Sequence, residues 1–245
     1  MSLLRYLPQA IQSWSLLWNH KGALLRTAWP AALVMVATPV IAEFGGPYGR
    51  LAAMLATAIC LGAFGVAWVR QAGLSGETVP FRLGAREVKF GVAAKLLEGF
   101  AMVPLILVAV LVPEGNTLPV SAPLLAYSAA HLFMVLVGVL FLILPDIALR
   151  EPGRPAPKLA EIILAAGGLE VGVGLVFAGL PFTVPAASFD VQLPEAHSLE
   201  QALFNQALLT LPTLLGFAAT WSFLAMVWME ARARVEARAK DAPAA

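Results

Sequence analysis

At 245 residues the chain is long enough for one or two ordinary domains, yet 60% of it is hydrophobic and only 13% is charged. No water-facing surface has that balance, so the composition is that of an integral membrane protein. Sixteen Lys and Arg stand against fifteen Asp and Glu, with no basic tract long enough to follow a nucleic-acid backbone, which excludes DNA and RNA binding.

The N-terminal segment, residues 1–22, carries Leu4, Leu7, Ile11, Trp14 and Trp18 at three- and four-residue spacing, with Gln9, Gln12, Ser13 and Asn19 elsewhere around the helix. That pattern predicts an amphipathic helix lying in the membrane interface, interrupted in its first turn by Pro8. No cleavable signal peptide is expected, because the first long apolar run begins late and lacks a small-residue cleavage site. Six apolar segments follow: Leu24 to Ile41, Leu51 to Val69, Ala93 to Val112, Pro123 to Leu144, Leu159 to Phe182 and Leu203 to Met229. Each is near the roughly 20 residues that a bilayer core about 30 Å thick requires. The predicted fold is therefore all-α, one polytopic membrane bundle of six transmembrane helices over residues 23–230. Continuous apolar runs without period-two alternation argue against a β-barrel.

Charge sets the expected orientation. Arg5, Lys21 and Arg26 precede the first span; Arg70, Arg82, Arg86, Lys89 and Lys95 fall between the second and third or at the start of the third. Arg150, Arg154 and Lys158 lie between the fourth and fifth, and Arg232, Arg234, Arg238 and Lys240 follow the sixth. In a six-span threading only Arg50, of sixteen basic residues, falls on the other side. Lys and Arg in short loops stay on the cytoplasmic side, so both termini are expected there. The tail, residues 231–245, continues in strong helix formers. Glu230 with Arg234, and Glu236 with Lys240, stand four apart in the favourable order, so the last helix should run on into the cytosol.

Ionisable groups at membrane depth are costly and few. Lys95 and Glu98 are spaced to share one helix face as an ion pair, and Pro104 and Pro212 are expected to bend their helices. His131 is the lone histidine within a span, and Glu170 sits in the fifth; together they form the candidate buried polar pair. The fifth span places Glu161, Ala165, Gly168, Gly172 and Gly179 near one face, with Gly168 and Gly172 in G-x-x-x-G. Small residues let helix backbones approach, so Gly168, Gly172 and Gly179 are read as a packing seam for the chain's own helices or for other membrane subunits. The loop carrying Asp190, Glu195, His197 and Glu200 reads as a solvated acidic loop rather than a metal site. A single cysteine, Cys60, excludes an intrachain disulfide, a Cys-based zinc site and an iron–sulfur site. Nucleophile elbows, phosphate loops and H-E-x-x-H are absent. No catalytic residue, metal or cofactor is assigned.

The connection after the second span reads Trp68-Val69-Arg70, then Leu74-Ser75-Gly76-Glu77, then Arg82-Leu83-Gly84-Ala85-Arg86-Glu87; Leu144-Pro145-Asp146-Ile147-Ala148-Leu149 follows the fourth span. This resembles a group of uncharacterised multi-span bacterial inner-membrane proteins with W-H-R, L-x-G-E and R-x-G-x-R-E in one cytoplasmic loop, Val69 replacing the usual His. The resemblance implies the bacterial inner membrane and carries no activity. Physically, Arg70, Glu77, Arg82, Arg86 and Glu87 form a candidate cluster that can fix the loop, hold a lipid phosphate or dock a partner. The leading expectation is a non-enzymatic accessory, scaffold or assembly component. A carrier or channel for a small or amphiphilic molecule and a lipid-modifying enzyme are the alternatives.

Overall fold

The computed structural model describes residues 3–74, 81–104, 107, 121–151, 157–192 and 196–241, with side chains of 121–128 and 183–192 not included. Among these residues every regular element is helical. In chain order they are α1 (Leu7–Asn19), α2 (Lys21–Phe44), a 3-10 turn (Gly46–Tyr48), α3 (Gly49–Gly73), α4 (Ala85–Ala101) and α5 (Ser121–Val137). A second 3-10 turn (Gly138–Leu142), α6 (Ile143–Leu149), α7 (Leu159–Ala166), α8 (Gly168–Gln192) and α9 (Leu199–Asp241) complete them.

Four helical stretches are long and apolar enough to cross a bilayer, Lys21–Phe44, Gly46–Gly73, Ala129–Leu149 and Leu199–Asp241. The pair Leu159–Ala166 and Gly168–Phe182 makes a fifth if the two are one bent span. The six expected segments thus map to four or five candidates among the described residues. The third expected span is represented by α4, which starts eight residues ahead of Ala93 and has 17 residues, with much of the remaining segment outside the described residues. The fifth is not the straight helix expected. Gly167 adopts φ +85°, a left-handed conformation that L side chains seldom take, and the chain turns there by 79°.

Aromatic side chains fill the core. Trp221 of α9 stacks on Phe217 at 5.2 Å between ring centroids, meets the Phe90 edge at 5.3 Å and packs against Phe64 at 5.4 Å. Such pairs contribute beyond the area they bury. One turn along α3, buried Trp68 donates its indole N–H to Ala218 O at 2.9 Å and Ser222 Oγ at 2.8 Å, fixing α3 to α9. Glycines set the closest helix contacts. A Cβ on Gly62 would overlap the Glu87 carbonyl, and one on Gly91 would overlap the Ala58 carbonyl, so α3 and α4 touch backbone to backbone.

α1 presents a different face to the bundle from the one its hydrophobic pattern suggests. Tyr6 just ahead of it, then Ala10, Ser13 and Leu17, are buried, while Leu4, Ile11 and Trp18 are 54%, 52% and 81% exposed. The expected stripe is thus divided: Leu4, Ile11 and Trp18 face outward, while Leu7 and Trp14 are half-buried. Trp14 adds a link from its indole N–H to Ala178 O at 3.0 Å. At the other terminus α9 runs 43 residues, about 64 Å at 1.5 Å per residue and twice a bilayer core. Glu230 pairs with Arg234 as expected, but Glu236 pairs with Arg232 at 2.6 Å rather than with Lys240.

Candidate functional site

The basic regions converge at one end of the bundle. Gly73 at the end of α3 lies beside Leu149 of α6 and Met229 of α9. Arg86 at the start of α4 donates to the Arg150 carbonyl at 3.2 Å. Arg150 in turn donates to Asp146 Oδ1 at 2.9 Å, one helical turn back, and to Pro157 O at 3.0 Å, holding the chain end that leads into α7. The Arg150 carbonyl, at the C-terminal cap of α6, is one that the helix end leaves open.

The five residues of the expected cluster have separate environments. Arg86 is committed to Arg150. Arg82 is exposed. Glu87 lies in the first turn of α4, its carboxylate folded back toward Gly84, where the helix dipole favours a negative charge. Arg70 has its Nε buried without an acceptor among the described residues, and Glu77 lies outside them. Lys95 and Glu98 form the expected pair at 2.7 Å.

Beside this end, a shallow cleft of about 270 Å³ is lined by Leu74, Leu149, Glu151, Trp228, Met229, Arg232, Ala233 and Glu236. The Arg232 guanidinium lies 5.4 Å from the Trp228 ring centroid and bonds Glu236. Its one cation is paired to Glu236 and Glu151 adds a second carboxylate, so the lining offers no free positive charge to draw an anion.

The most connected polar group was not apparent in the sequence. Tyr6 is fully buried and donates its hydroxyl proton to Ala166 O at 2.9 Å. Arg234 donates to Ala165 O at 3.0 Å and to Tyr6 Oη at 3.4 Å, and pairs with Glu230. Gln9 donates to the other Glu230 oxygen at 2.9 Å, and Arg5 stands 4.0 Å from that carboxylate. The two carbonyls are the last of α7, so the break at Gly167 is capped by a phenol and a guanidinium from opposite ends of the chain. Arg5-Tyr6 and the Glu230/Arg234 pair were visible as residues, but separations of 160 and 228 positions hide their meeting.

The glycine seam on α8 divides. A Cβ on Gly172 would overlap the Val135 carbonyl of α5, and one on Gly138 would lie within 2.7 Å of Gly172 Cα. Gly179 is buried. Gly168, by contrast, has nothing within 4 Å of a Cβ, because the break makes it the first residue of a new helix rather than a member of the seam. Gly174, unremarked in the sequence, opens the slot for Tyr6 and Phe223. The Ala58-x-x-x-Gly62 spacing on α3 held the same signal as G-x-x-x-G and marks the α3–α4 crossing.

Glu170 is buried, 6% exposed, with its carboxylate against Gly167 in the first turn of α8. His131 stands one turn before Val135 on α5, and Val135 is level with Gly172. No hydrogen bond or ion pair joins His131 to Glu170 among the described residues; His131 has other interactions. Of the expected acidic loop, Asp190 falls in the last turns of α8, Glu200 in the first turn of α9, and Glu195 outside the described residues; the His197 amide donates to Gln201 Oε1 at 3.1 Å and Ser198 Oγ accepts from the Gln201 amide at 3.2 Å, a cap for α9. No protein-family model matches the chain, and no curated protein or solved structure is significantly similar to it.

Proposed function

We propose that this chain is a multi-pass protein of the bacterial inner membrane, with six crossings and both termini in the cytoplasm, and that it serves as a non-enzymatic accessory or assembly component of a membrane complex. One observation carries the reading: four of the polar side chains at the basic end are engaged on the chain's own backbone. Arg86, Arg150, Arg234 and Tyr6 each hold a carbonyl of this protein. A headgroup-binding or catalytic cluster needs such groups turned toward a common point with their donors free. Here they lock helix ends, which suits a rigid part that presents a surface. The core argues the same way, since α3, α4 and α9 meet across interlocked aromatic rings rather than around a polar path.

The surface offered to other subunits differs from the one suggested by the fifth helix alone. Gly172 and Gly174 are covered by Val135, Phe223 and Tyr6, so the glycine-rich face serves internal packing. Exposed apolar residues such as Leu132, Leu136 and Leu164, 68%, 65% and 83% exposed, are available to lipid or a partner helix.

A carrier is the second reading, favoured by the interrupted span with buried Glu170 beside the break. Discontinuous helices with a charged group at the gap recur in transporters. Purification of the tagged chain in mild detergent from its native membrane, followed by native mass spectrometry, separates the two. The accessory reading expects a fixed-stoichiometry complex with another membrane protein, whose abundance falls when this chain is deleted. A lone monomer that moves a solute after reconstitution into vesicles would replace it with the carrier reading.

A further inference from the structure

The break between α7 and α8 has an alternative that the length of the apolar run permits. Residues 159–182 are apolar throughout except Glu161 and Glu170, and their run is long enough for one straight helix. In that straight helix the carbonyls of Ala165 and Ala166 would accept from the amides of Leu169 and Glu170, four residues on. In the bent form those two carbonyls instead accept from Arg234 and Tyr6. The exchange is one partner for one partner, so neither form leaves these acceptors bare. Gly167 and Gly168 lower the cost of the bent shape, the first because it reaches φ +85° and the second because no neighbour confines it, whereas inside a straight helix each costs up to about 1 kcal/mol relative to alanine.

The groups that hold the bent form come from the chain's two terminal segments. Tyr6 enters a slot between Gly174 and Phe223, its ring 6.4 Å from that of Phe223. Arg5, Gln9 and Arg234 converge on Glu230, and these contacts are partly solvent-accessible: the Arg5 and Glu230 side chains are 35% and 38% exposed. A contact made of charges near the surface and one buried hydroxyl can be undone without dismantling the core.

We propose that Tyr6 and Arg234 form a latch that holds the α7–α8 break bent, and that releasing the latch lets α7 and α8 join into a straighter helix. The N-terminal segment thereby works as a strap whose seating sets the shape of a candidate membrane span, whatever partner the protein serves. The device is a two-state element biased by few contacts, the arrangement from which switching transitions are built.

The test uses the full chain in lipid nanodiscs with Cys60→Ser and spin labels on Ala160→Cys and Phe177→Cys, one exposed site on each side of the break. A 79° bend makes the Cα separation roughly 20 Å, against about 25 Å for a straight helix at 1.5 Å rise per residue. Double electron–electron resonance should give a single short distance with the latch intact. Tyr6→Phe, which removes one hydroxyl and leaves the ring, and Arg234→Gln should each add a population about 5 Å longer, dominant in the double variant. Arg232→Gln, which breaks a neighbouring pair away from the break, should leave the distribution unchanged. Unchanged distances in Tyr6→Phe and the double variant would overturn the latch, as would an equal shift from Arg232→Gln. Gel filtration and near-ultraviolet circular dichroism of the buried tryptophans establish that each variant is folded; if Arg234→Gln fails, Tyr6→Phe alone decides.

Discussion

Where α3 crosses α4, Gly62 and Gly91 bring two helix backbones into direct contact, whereas at the α7–α8 junction Gly167 and Gly168 interrupt a helix and face no such partner. The same residue serves opposite ends because of what stands opposite it. At the crossing, another helix supplies dispersion contacts and the missing side chains let it close in. At the junction, no backbone fills the space, and side-chain donors from Tyr6 and Arg234 accept the task of satisfying the freed carbonyls. A glycine in a membrane helix is thus a permission, and its neighbours decide its use.

The contrast can be broken by adding carbon at each glycine. Gly62→Val should have the largest effect, since its Cβ alone would overlap the Glu87 carbonyl and Gly91 amide. Backbone cannot yield as a side chain does, so a loss of about 3 kcal/mol is expected, the upper part of the overpacking range. Reversible unfolding in mixed micelles measures it. Gly172→Ala should follow at about 2 kcal/mol, because its Cβ strikes Val135 where α5 lies closest; a value near zero would mean that α5 and α8 do not pack as described. Gly168→Ala should move stability by no more than about 0.5 kcal/mol, as at an unconfined surface site, although it lies in the same G-x-x-x-G. Equal costs at 168 and 172 would show that the span is one straight helix with a continuous seam.

The fold class was legible from hydropathy because burial in lipid acts on every residue of a long segment, and summed over a span it overrides local detail. Convergence of the basic segments was legible too: Arg86, Arg150 and Arg234 do gather at one end, through contacts that run from Gly73 to Leu149 and Met229. The direction in which α1 presents itself was not. Its larger apolar residues form the stronger stripe, yet Tyr6, Ala10, Ser13 and Leu17 enter the bundle. Fit against the neighbouring helices, which the hydrophobic pattern does not contain, decides which face enters.

The candidate cluster shows the same limit. Arg82 and Arg86 are four residues apart, but one is exposed and the other reaches a carbonyl 64 positions away. Charge spacing grouped these residues in one connection; it carried no information on which acceptors await them. His131 and Glu170 were paired as the polar groups of their spans, and among the described residues the Glu170 carboxylate lies against Gly167.

Taken alone, the sequence determined that the chain is helical, apolar over several bilayer-length segments, and asymmetric in its basic charge, since these follow from composition and period summed along each segment. Only the tertiary structure decided that the run from Leu159 to Phe182 is bent, which glycines touch a neighbour, and that Tyr6 and Arg234 meet at the bend. Those outcomes depend on hydrogen-bond partners and steric clashes between residues far apart in the chain, and hydropathy, being a property of one residue at a time, contains neither.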